Sequence, residues 1–295
     1  MTTSRPGPLL GIDIGTSSSK GVLTAADGTL LAQAQRTHTT ATPRPGWFEH
    51  DAEAVWWSDL RSLTRELLAS GPRPAAVCVS GIGPCVLPAD ADDRPLRPAV
   101  LYGVDTRASA EIAEQTERYG ADAIIARCGS PLTSQAIGPK LAWLRRHEPD
   151  LYRSTRRWYM ASSYLVHRLT GRYVLDHHSA SQCTPLYDHA RRTWITDHCE
   201  DIAPGLEWPE LVWPADVVGE VTRRASELTG LPAGTPVVAG TIDAWAEAAG
   251  VGVAAPGDTM LMYGTTMFVV DVVEKPLTSP RLWGTAGAFP GTYCL

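Results

Sequence analysis

Residues 9–24 read LLGIDIGTSSSKGVLT, and this segment sets the expected architecture. Its first six residues are apolar except for Asp13 and predict a β-strand. The small residues after them predict a tight turn, and the remainder predicts a return strand. A turn at residues 25–28, with a conformationally permissive glycine, leads to a third predicted strand at residues 30–35. The sequence therefore predicts that the chain opens with three short antiparallel strands.

Farther along the chain, predicted helices alternate with buried strands. Asp51 is expected to cap a helix whose apolar side chains recur at helical spacing. Residues 75–79 form a continuous apolar run, which suits a buried parallel strand. Residues 232–239 repeat that pattern before a short predicted helix at residues 244–249, and residues 108–171 between them are mainly helical in pattern. This order of strand, helix and strand predicts an α/β fold.

Length and composition are those of a globular protein. The 295 residues suggest about two domains, and 44% of them are hydrophobic. The 26 basic and 32 acidic residues give a net charge of -6, whereas nucleic-acid-binding proteins usually present a basic face. No uncharged apolar run approaches the ~20 residues of a membrane span. We therefore expect neither nucleic acid nor a membrane as a partner.

The six cysteines are scattered along the chain without a CxxC pair. In a chain of this length, that pattern favours reduced thiols over a disulfide framework. The first residues contain no apolar stretch fit for a signal peptide. We therefore expect a cytoplasmic protein, and the histidines lack the spacing of a metal site.

A carboxylate and small hydroxyl residues follow the first predicted strand. Asp13, Gly15, Thr16, Ser17 and Lys20 lie close together in the sequence. Glycine and small side chains leave backbone N–H groups open to a phosphate. A carboxylate beside those donors would repel phosphate unless Mg²⁺ lies between them, so Asp13 is predicted to face a magnesium ion. An ordinary polar hairpin is the alternative, because the spacing is not that of a Walker A loop.

Two further acidic positions follow predicted strands. Asp243 comes at the end of a predicted buried strand, where ligands gather in α/β sheets, and a carboxylate there can accept the proton of an attacking hydroxyl. The alternative is that Asp243 only caps the helix behind it. Asp105 and Arg107 follow a predicted strand at residues 100–102. They either bind a polyhydroxylated ligand or form a structural salt bridge, and both interpretations stay open.

The end of the sequence repeats the pattern of its beginning. Residues 258–263, the turn Gly264, Thr265 and Thr266, and residues 267–272 predict a second strand–turn–strand unit. Two such small-residue hairpins indicate a duplicated domain, with each copy beginning at a phosphate-binding turn. Two unrelated hairpins are the alternative.

Taken in order, these segments resemble the FGGY carbohydrate kinases, a branch of the actin/hexokinase-like ATPase superfamily. The resemblance runs the length of the chain. Each motif is weak alone, but the motifs occur in the same order as in the family, and this order makes the resemblance specific. The segments are residues 11–16 (GIDIGT), 46–51 (GWFEHD), 105–107 (DTR), 169–171 (LTG) with Asp176 and 179–181 (SAS), 228–237 (LTGLPAGTPV) with Gly240 and Asp243, 250–252 (GVG) and 263–266 (YGTT).

The resemblance implies an α/β chain with an actin-like ATPase (ribonuclease H-like) domain, in which a mixed sheet is flanked by helices and the second domain is incomplete. Residues 1–245 would form the N-terminal sugar-binding domain, and residues 246–295 the beginning of the C-terminal ATP-binding domain. The implied cofactors are ATP and Mg²⁺, and the implied partner is a small-molecule sugar or polyol, with a homodimer left open. The 295-residue chain alone is expected to be inactive or nearly so, because the family's adenosine motif would lie beyond it.

The resemblance also assigns roles to residues. Asp243 matches the catalytic base, which also contacts the sugar, and Asp13 matches the carboxylate near Mg²⁺. Residues 15–17 match the first phosphate turn, which Lys20 follows, and residues 264–266 match the second. The implied reaction is transfer of the ATP γ-phosphate to a hydroxyl of the acceptor.

The acceptor is less closely specified. Ile82 and Gly83 fall where family members place sugar-contacting side chains, and Asp105 and Arg107 match the family's D-x-R. Xylulokinases typically have Met-His where this chain has Ile82 and Gly83, and Asn where it has Ala244. A ketopentose such as xylulose is the leading candidate, with another ketose, a sugar acid or a polyol as alternatives. A hypothesis from a different class is a non-catalytic sugar-binding or interaction fragment that lacks the adenosine site.

Overall fold

The computed structural model describes residues 7–263 and 267–295. Within these ranges the helices are α1 (Ser58–Ser70), α2 (Ser109–Tyr119), α3 (Ala121–Cys128), α4 (Ile137–His147), α5 (Pro149–Ser154), α6 (Ala161–Thr170), α7 (His177–Ser181), α8 (Thr196–Ile202), α9 (Arg223–Thr229) and α10 (Asp243–Gly250). The strands are β1 (Leu9–Ile14), β2 (Ser18–Thr24), β3 (Leu30–Thr37), β4 (Glu49–His50), β5 (Ala76–Gly81), β6 (Leu87–Ala89), β7 (Ala99–Val100), β8 (Arg157–Tyr159), β9 (Val174–Asp176), β10 (Tyr187–Asp188), β11 (Thr193–Trp194), β12 (Glu210–Val212), β13 (Val217–Glu220), β14 (Pro236–Val238), β15 (Thr241–Ile242), β16 (Thr259–Tyr263), β17 (Met267–Val273), β18 (Thr285–Ala286) and β19 (Tyr293–Cys294). None of the described helices is both long enough and apolar enough to cross a lipid bilayer.

A mixed sheet organises the first part of the chain. Its strand order is β13-β14-β5-β1-β2-β3, and β15 also pairs with β5. β1 runs antiparallel to β2 and parallel to β5, while β14 and β15 both run parallel to β5. Because β1, β2 and β3 are successive antiparallel neighbours, the predicted opening meander is confirmed.

The two faces of β1 have different environments. Leu10, Ile12 and Ile14 are buried in an apolar cluster that includes side chains of α1 and α6. Each of these side chains contributes about 1.5–3 kcal/mol to folding by leaving water. Asp13 points to the opposite face, since successive side chains of a strand alternate in direction. The helices therefore cover one face of β1 and leave the other available for a site.

The chain enters α1 through a π-helical turn, Ala52–Trp57. Asp51 Oδ1 accepts hydrogen bonds from the N–H groups of Glu53 and Ala54, each at 2.9 Å, so the predicted cap is confirmed. Within this turn, Trp56 and Trp57 both lie in the core, at 0% and 2% exposure. The sequence predicts an ordinary α-helix here, because the apolar side chains of this segment recur at α-helical spacing.

Two predicted strands are shorter in the structure. The apolar run at residues 232–239 yields only β14, because Pro232 and Gly234 form a turn in which Thr235 N–H donates to Pro232 O at 3.2 Å. Gly234 has a φ of +84°, which a strand does not tolerate. The strand predicted at residues 100–102 likewise ends early, at the last residue of β7.

The last residues form a smaller unit. β16 and β17 pair antiparallel, so the predicted second hairpin is confirmed in its strands, whereas its turn at residues 264–266 lies outside the described residues. Trp245 and Ala248 of α10 share a separate apolar cluster with Val270 and Val272 of β17. The duplication suggested by the two hairpins stays a prediction.

Candidate active site

Three parallel strands end side by side and gather polar residues at one edge of the sheet. Asp13 of β1 lies in register with Ser80 of β5, and Ser80 lies in register with Thr241 of β15. Asp243 follows two residues later as the first residue of α10. The Ser80 hydroxyl donates to Asp13 Oδ1 at 2.8 Å. This edge is the one at which ligands bind in α/β sheets, as the sequence predicts.

Gly240 lets the chain deliver Asp243 to this edge. Its φ is +68°, in the left-handed region, and a Cβ at this position would lie 1.8 Å from Val79 O. Its N–H donates to Pro214 O at 2.9 Å. Only glycine permits the backbone before β15 to approach β5 so closely.

A cavity of about 360 Å³, here called the Asp13 cavity, opens beside the strand ends. Its polar lining includes Asp13, Lys20 and Ser80 from the strands and Asp243 and Glu247 from α10. Burial raises the pKa of Asp13, while the hydrogen bond from Ser80 and the positive charge of Lys20 oppose that rise. Hard oxygen ligands beside an ammonium group suit a hydrated divalent cation and phosphate.

The turn between β1 and β2 leaves backbone donors available. Gly15 N–H donates to Ser18 O at 3.0 Å and closes the turn. Within the part of the chain that the structure describes, the N–H groups of Thr16 and Ser17 have no hydrogen-bond partner. The Thr16 hydroxyl lies 3.1 Å from Tyr102 Oη. Free N–H groups beside small side chains are the donors that anions bind.

A second cavity, of about 400 Å³, is here called the Gly83 cavity. Its polar side chains include those of Tyr102, Gln135, Gln182, Asp243 and Thr285, which are far apart in sequence. Its lining consists of Gly83, Tyr102, Gln135, Gln182, Ile242, Asp243, Ala244, Trp245, Met262, Phe268, Val269, Trp283, Thr285 and Leu295. Apolar walls with a few polar groups are typical of small-molecule sites.

Ile242 shapes one wall of the Gly83 cavity. A Cβ at Gly83 would lie 2.6 Å from Ile242 Cγ1, so Ile242 occupies the space that a side chain at position 83 would need. The polar groups expected there in xylulokinases are thus replaced by an apolar surface.

Asp243 lines both cavities. Burial, and then the negative charge of Asp13, raises the pKa of Asp243 to about 7. Asp243 Oδ1 accepts the Ala244 N–H at 2.8 Å, a weaker influence in the opposite direction. The carboxylate therefore stabilises the first turn of α10, and its pKa also suits proton transfer near neutral pH. Ile242 occupies the N-cap position of α10 without a side-chain cap hydrogen bond, so the alternative that Asp243 only caps this helix is wrong.

Asp243→Asn is expected to stabilise the folded chain at pH 8. Folding raises this pKa from 3.8 to about 7, so the stability associated with the proton is fully present below pH 3.8 and is lost as pH rises through about 7. The rise in the pKa of Asp243 corresponds to at most about 4 kcal/mol of unfolding free energy. Because the side chain is partly exposed, we expect the Asn variant to gain only about 1–2 kcal/mol of stability.

Urea unfolding of the wild type and of Asp243→Asn at pH 8 and pH 5 measures this difference in stability. The Asn variant should gain stability at pH 8, and the gain should shrink at pH 5. A variant less stable than the wild type at pH 8 would show that burial does not penalise the charged form of Asp243.

Three predicted substrate residues do not line either cavity. Ile82 is 1% exposed and belongs to the apolar core. Asp105 and Arg107 form a buried ion pair, with Arg107 Nη2 2.7 Å from Asp105 Oδ2. Arg107 Nη1 also lies 2.8 Å from Glu49 Oε1. The structural salt bridge, one of the two interpretations open from the sequence, is therefore present, and the substrate role of these residues stays a prediction.

The structure adds site residues that the sequence analysis did not single out. Tyr102, Gln135 and Gln182 bring polar groups to the Gly83 cavity. Gln135 Oε1 accepts the Gly103 N–H at 2.8 Å, and Gln182 Nε2 lies 3.0 Å from His178 Nε2. Single polar residues in loops and at helix ends carry no periodicity or motif, so no sequence signal distinguishes them.

A magnesium ion fits the Asp13 cavity through water and phosphate. In residues 7–263 and 267–295, no group of three or more His, Cys, Asp or Glu side chains is arranged to hold a metal. Mg²⁺ usually keeps several waters and takes one or two carboxylates together with phosphate oxygens. Asp13, oriented by the Ser80 hydroxyl, matches that requirement.

Comparison with known proteins agrees with this architecture. The model of the FGGY family of carbohydrate kinases, N-terminal domain, matches residues 9–250. Autoinducer-2 kinase of Yersinia enterocolitica is 30% identical, over 95% of this chain and 54% of its own length, and glycerol kinase of Nocardia farcinica is 32% identical, over 88% and 52%. The crystal structure of xylulose kinase from Rhodospirillum rubrum has a TM-score of 0.92 and 33% identity, over 97% of this chain and 59% of that one. The chain spans about half the length of the curated relatives it matches.

Proposed function

Because the chain belongs to the FGGY family of carbohydrate kinases, we propose that it supplies the acceptor site and catalytic base of an ATP-dependent kinase for a small sugar or polyol. One observation carries the proposal: Asp243 lines both the Asp13 cavity and the Gly83 cavity. A carboxylate shared by two compartments can take a proton from a hydroxyl in one while that hydroxyl attacks a phosphoryl group in the other.

In the proposed reaction, the acceptor lies in the Gly83 cavity with one hydroxyl beside Asp243. Asp243 accepts the hydroxyl proton as a bond forms between the acceptor oxygen and the γ-phosphorus, and the bond from that phosphorus to the leaving ADP oxygen breaks. Ile242 and Trp245 give the cavity apolar walls, which limit the access of water as a competing acceptor. The products are a phosphate ester, ADP and a proton.

The β1–β2 turn is proposed to hold the phosphate end of ATP. The N–H groups of Thr16 and Ser17 and the Lys20 ammonium offer donors to phosphate oxygens. Asp13 would hold hydrated Mg²⁺, which together with ATP supplies a transferable phosphoryl group with its charge neutralised. Residues 264–266 are proposed as a second phosphate contact from the resemblance alone.

The domain boundary is also a proposal. We assign residues 1–245 to a sugar-binding domain and residues 246–295 to the beginning of an ATP-binding domain. The separate apolar cluster that joins α10 to β17 supports a second packing unit near this boundary. A cytoplasmic location and a homodimer remain expectations from the sequence.

The acceptor is proposed to be a ketopentose such as xylulose, or a compound of similar size. The relatives include a xylulose kinase of known structure and a protein named glycerol kinase, so the family fold accommodates different acceptors. Gly83 and Ile242 make one wall apolar, and we expect the acceptor hydroxyls to face Gln135 and Gln182 instead.

A panel of acceptors tests the proposed function. The complete gene product is incubated with MgATP and one compound at a time: xylulose, other ketoses, glycerol, other polyols and aldonic acids. We expect at least one to yield a phosphate ester, identified by ³¹P NMR, in equal amount to the ADP released, and none without Mg²⁺. Calorimetric binding of an acceptor without ester formation under any condition would instead support a non-catalytic sugar-binding protein.

A further inference from the structure

One segment, residues 38–40, binds three successive carbonyl oxygens of the β1–β2 turn. His38 Nε2 lies 3.1 Å from Gly15 O, and the His38 N–H donates to Ser17 O at 3.0 Å. The Thr40 hydroxyl donates to Thr16 O at 2.9 Å. In a trans peptide the C=O of one residue points away from the N–H of the next. Holding these carbonyls toward residues 38–40 therefore turns the N–H groups of Thr16 and Ser17 the opposite way.

The Thr40 contact is the end of a chain of donors. Trp56 Nε1–H donates to His50 Nδ1 at 3.1 Å, and His50 Nε2 lies 3.0 Å from Thr40 Oγ1. Burial, and then the charge of His38, lowers the pKa of His50 to about 4. A neutral His50 accepts at Nδ1 and donates from Nε2, which leaves the single Thr40 proton for Thr16 O. Each donor in the chain thus has one acceptor.

The His38 contact is supported from α1. His38 Nδ1 lies 2.9 Å from Asp59 Oδ2, and the Ser19 hydroxyl donates to the same oxygen at 2.7 Å. The His38 side chain is only 7% exposed, so packing fixes the ring between Asp59 and Gly15. A proton on Nε2 makes the contact with Gly15 O a hydrogen bond that the ring donates.

We propose that His38 and Thr40 are positioning residues for phosphate binding, acting through the backbone of the β1–β2 turn. The inference rests on the proposed function of that turn as a phosphate site. Without the hydrogen bonds from His38 and Thr40, the peptides between Gly15 and Ser17 are free to rotate. A carbonyl oxygen that then faces the anion repels it. Neither side chain touches the substrate in this arrangement.

The full chain, labelled with ¹⁵N, is titrated with magnesium tripolyphosphate in an NMR experiment. In the wild type we expect the amide signals of Thr16 and Ser17 to shift on binding. Thr40→Val keeps the shape of the side chain and removes its donor, so its dissociation constant should rise about fivefold to tenfold. Thr40→Ser keeps the hydroxyl and should stay within about twofold of the wild type. Calorimetric binding of xylulose should be the same in all three proteins.

The outcomes separate the inference from the function on which it rests. If the wild type does not bind tripolyphosphate, the phosphate role of the turn is wrong and the inference fails with it. If the wild type binds and Thr40→Val binds equally well, the function stands and the Thr40 role is wrong. His38→Leu tests the contact with Gly15 O in the same way. For the inference to hold, both Thr40→Val and His38→Leu must weaken tripolyphosphate binding. Both must also keep the wild-type amide spectrum outside the turn.

Discussion

Asp243→Asn is expected to slow phosphoryl transfer by the complete gene product about 10²–10⁴-fold, the usual contribution of a positioned general base. The amide has the shape of the carboxylate and can still accept the Ala244 N–H, but it cannot take the acceptor proton near neutral pH. Acceptor affinity should change by no more than about threefold, because several other polar groups line the Gly83 cavity. Steady-state rates give kcat, and calorimetry gives the affinity for the acceptor.

The pH profile and a matched control sharpen this test. The wild-type rate should rise with pH and level off above about 7, since burial and the charge of Asp13 raise the pKa of Asp243 to that value. The small residual rate of the Asn variant should lack this rise. Asp27→Asn makes the same chemical change on an exposed turn and should leave the rate unchanged. Turnover by Asp243→Asn close to that of the wild type would remove Asp243 from the proposed mechanism.

Gly240→Ala is expected to destabilise the fold by about 3 kcal/mol or more. The left-handed φ of +68° disfavours any side chain, and the added Cβ would lie 1.8 Å from Val79 O. That oxygen belongs to the backbone of β5, so no side-chain rotation relieves the overlap. β15 would have to move away from β5, which would carry Asp243 away from Asp13. Denaturant unfolding measures the stability, and any folded fraction should have lost phosphoryl transfer.

Gly250→Ala provides the matched control for this substitution. Gly250 ends α10, and a Cβ there would have no atom within 4 Å among the described residues. Alanine favours a helix over glycine, so stability should stay within about 0.5 kcal/mol or rise slightly. Equal stability of the two alanine variants would mean that the backbone before β15 relaxes freely, and that Gly240 is not needed to place Asp243.

The elements that the sequence predicts well are those whose signals are local. β1, the turn after it and the cap at Asp51 each depend on residues only a few positions apart in sequence, and the structure confirms all three. Local signals also misled where tertiary packing prevailed. The apolar run at residues 232–239 forms a strand only over Pro236–Val238, because residues 232–235 form a turn.

For Asp13 and Asp243, the sequence predicts the positions of the two carboxylates but not the interaction between them. Their positions at the ends of strands follow from apolar runs that stop at a carboxylate, so the sequence alone made them candidates. Their mutual influence could not be predicted, because it requires β1 and β15 to lie on either side of β5. That pairing puts the charge of Asp13 close enough to raise the pKa of Asp243.

The composition, periodicity and motif order of this chain were sufficient for the fold class and the family, and they marked Asp13 and Asp243 as candidates, because these signals lie in short runs of neighbouring residues. The two cavities, the contact of Arg107 with Glu49 and the hydrogen bonds from residues 38–40 to the β1–β2 turn came from folding alone. They depend on contacts between residues far apart in sequence, whose burial and hydrogen bonding exist once the strands and helices have packed.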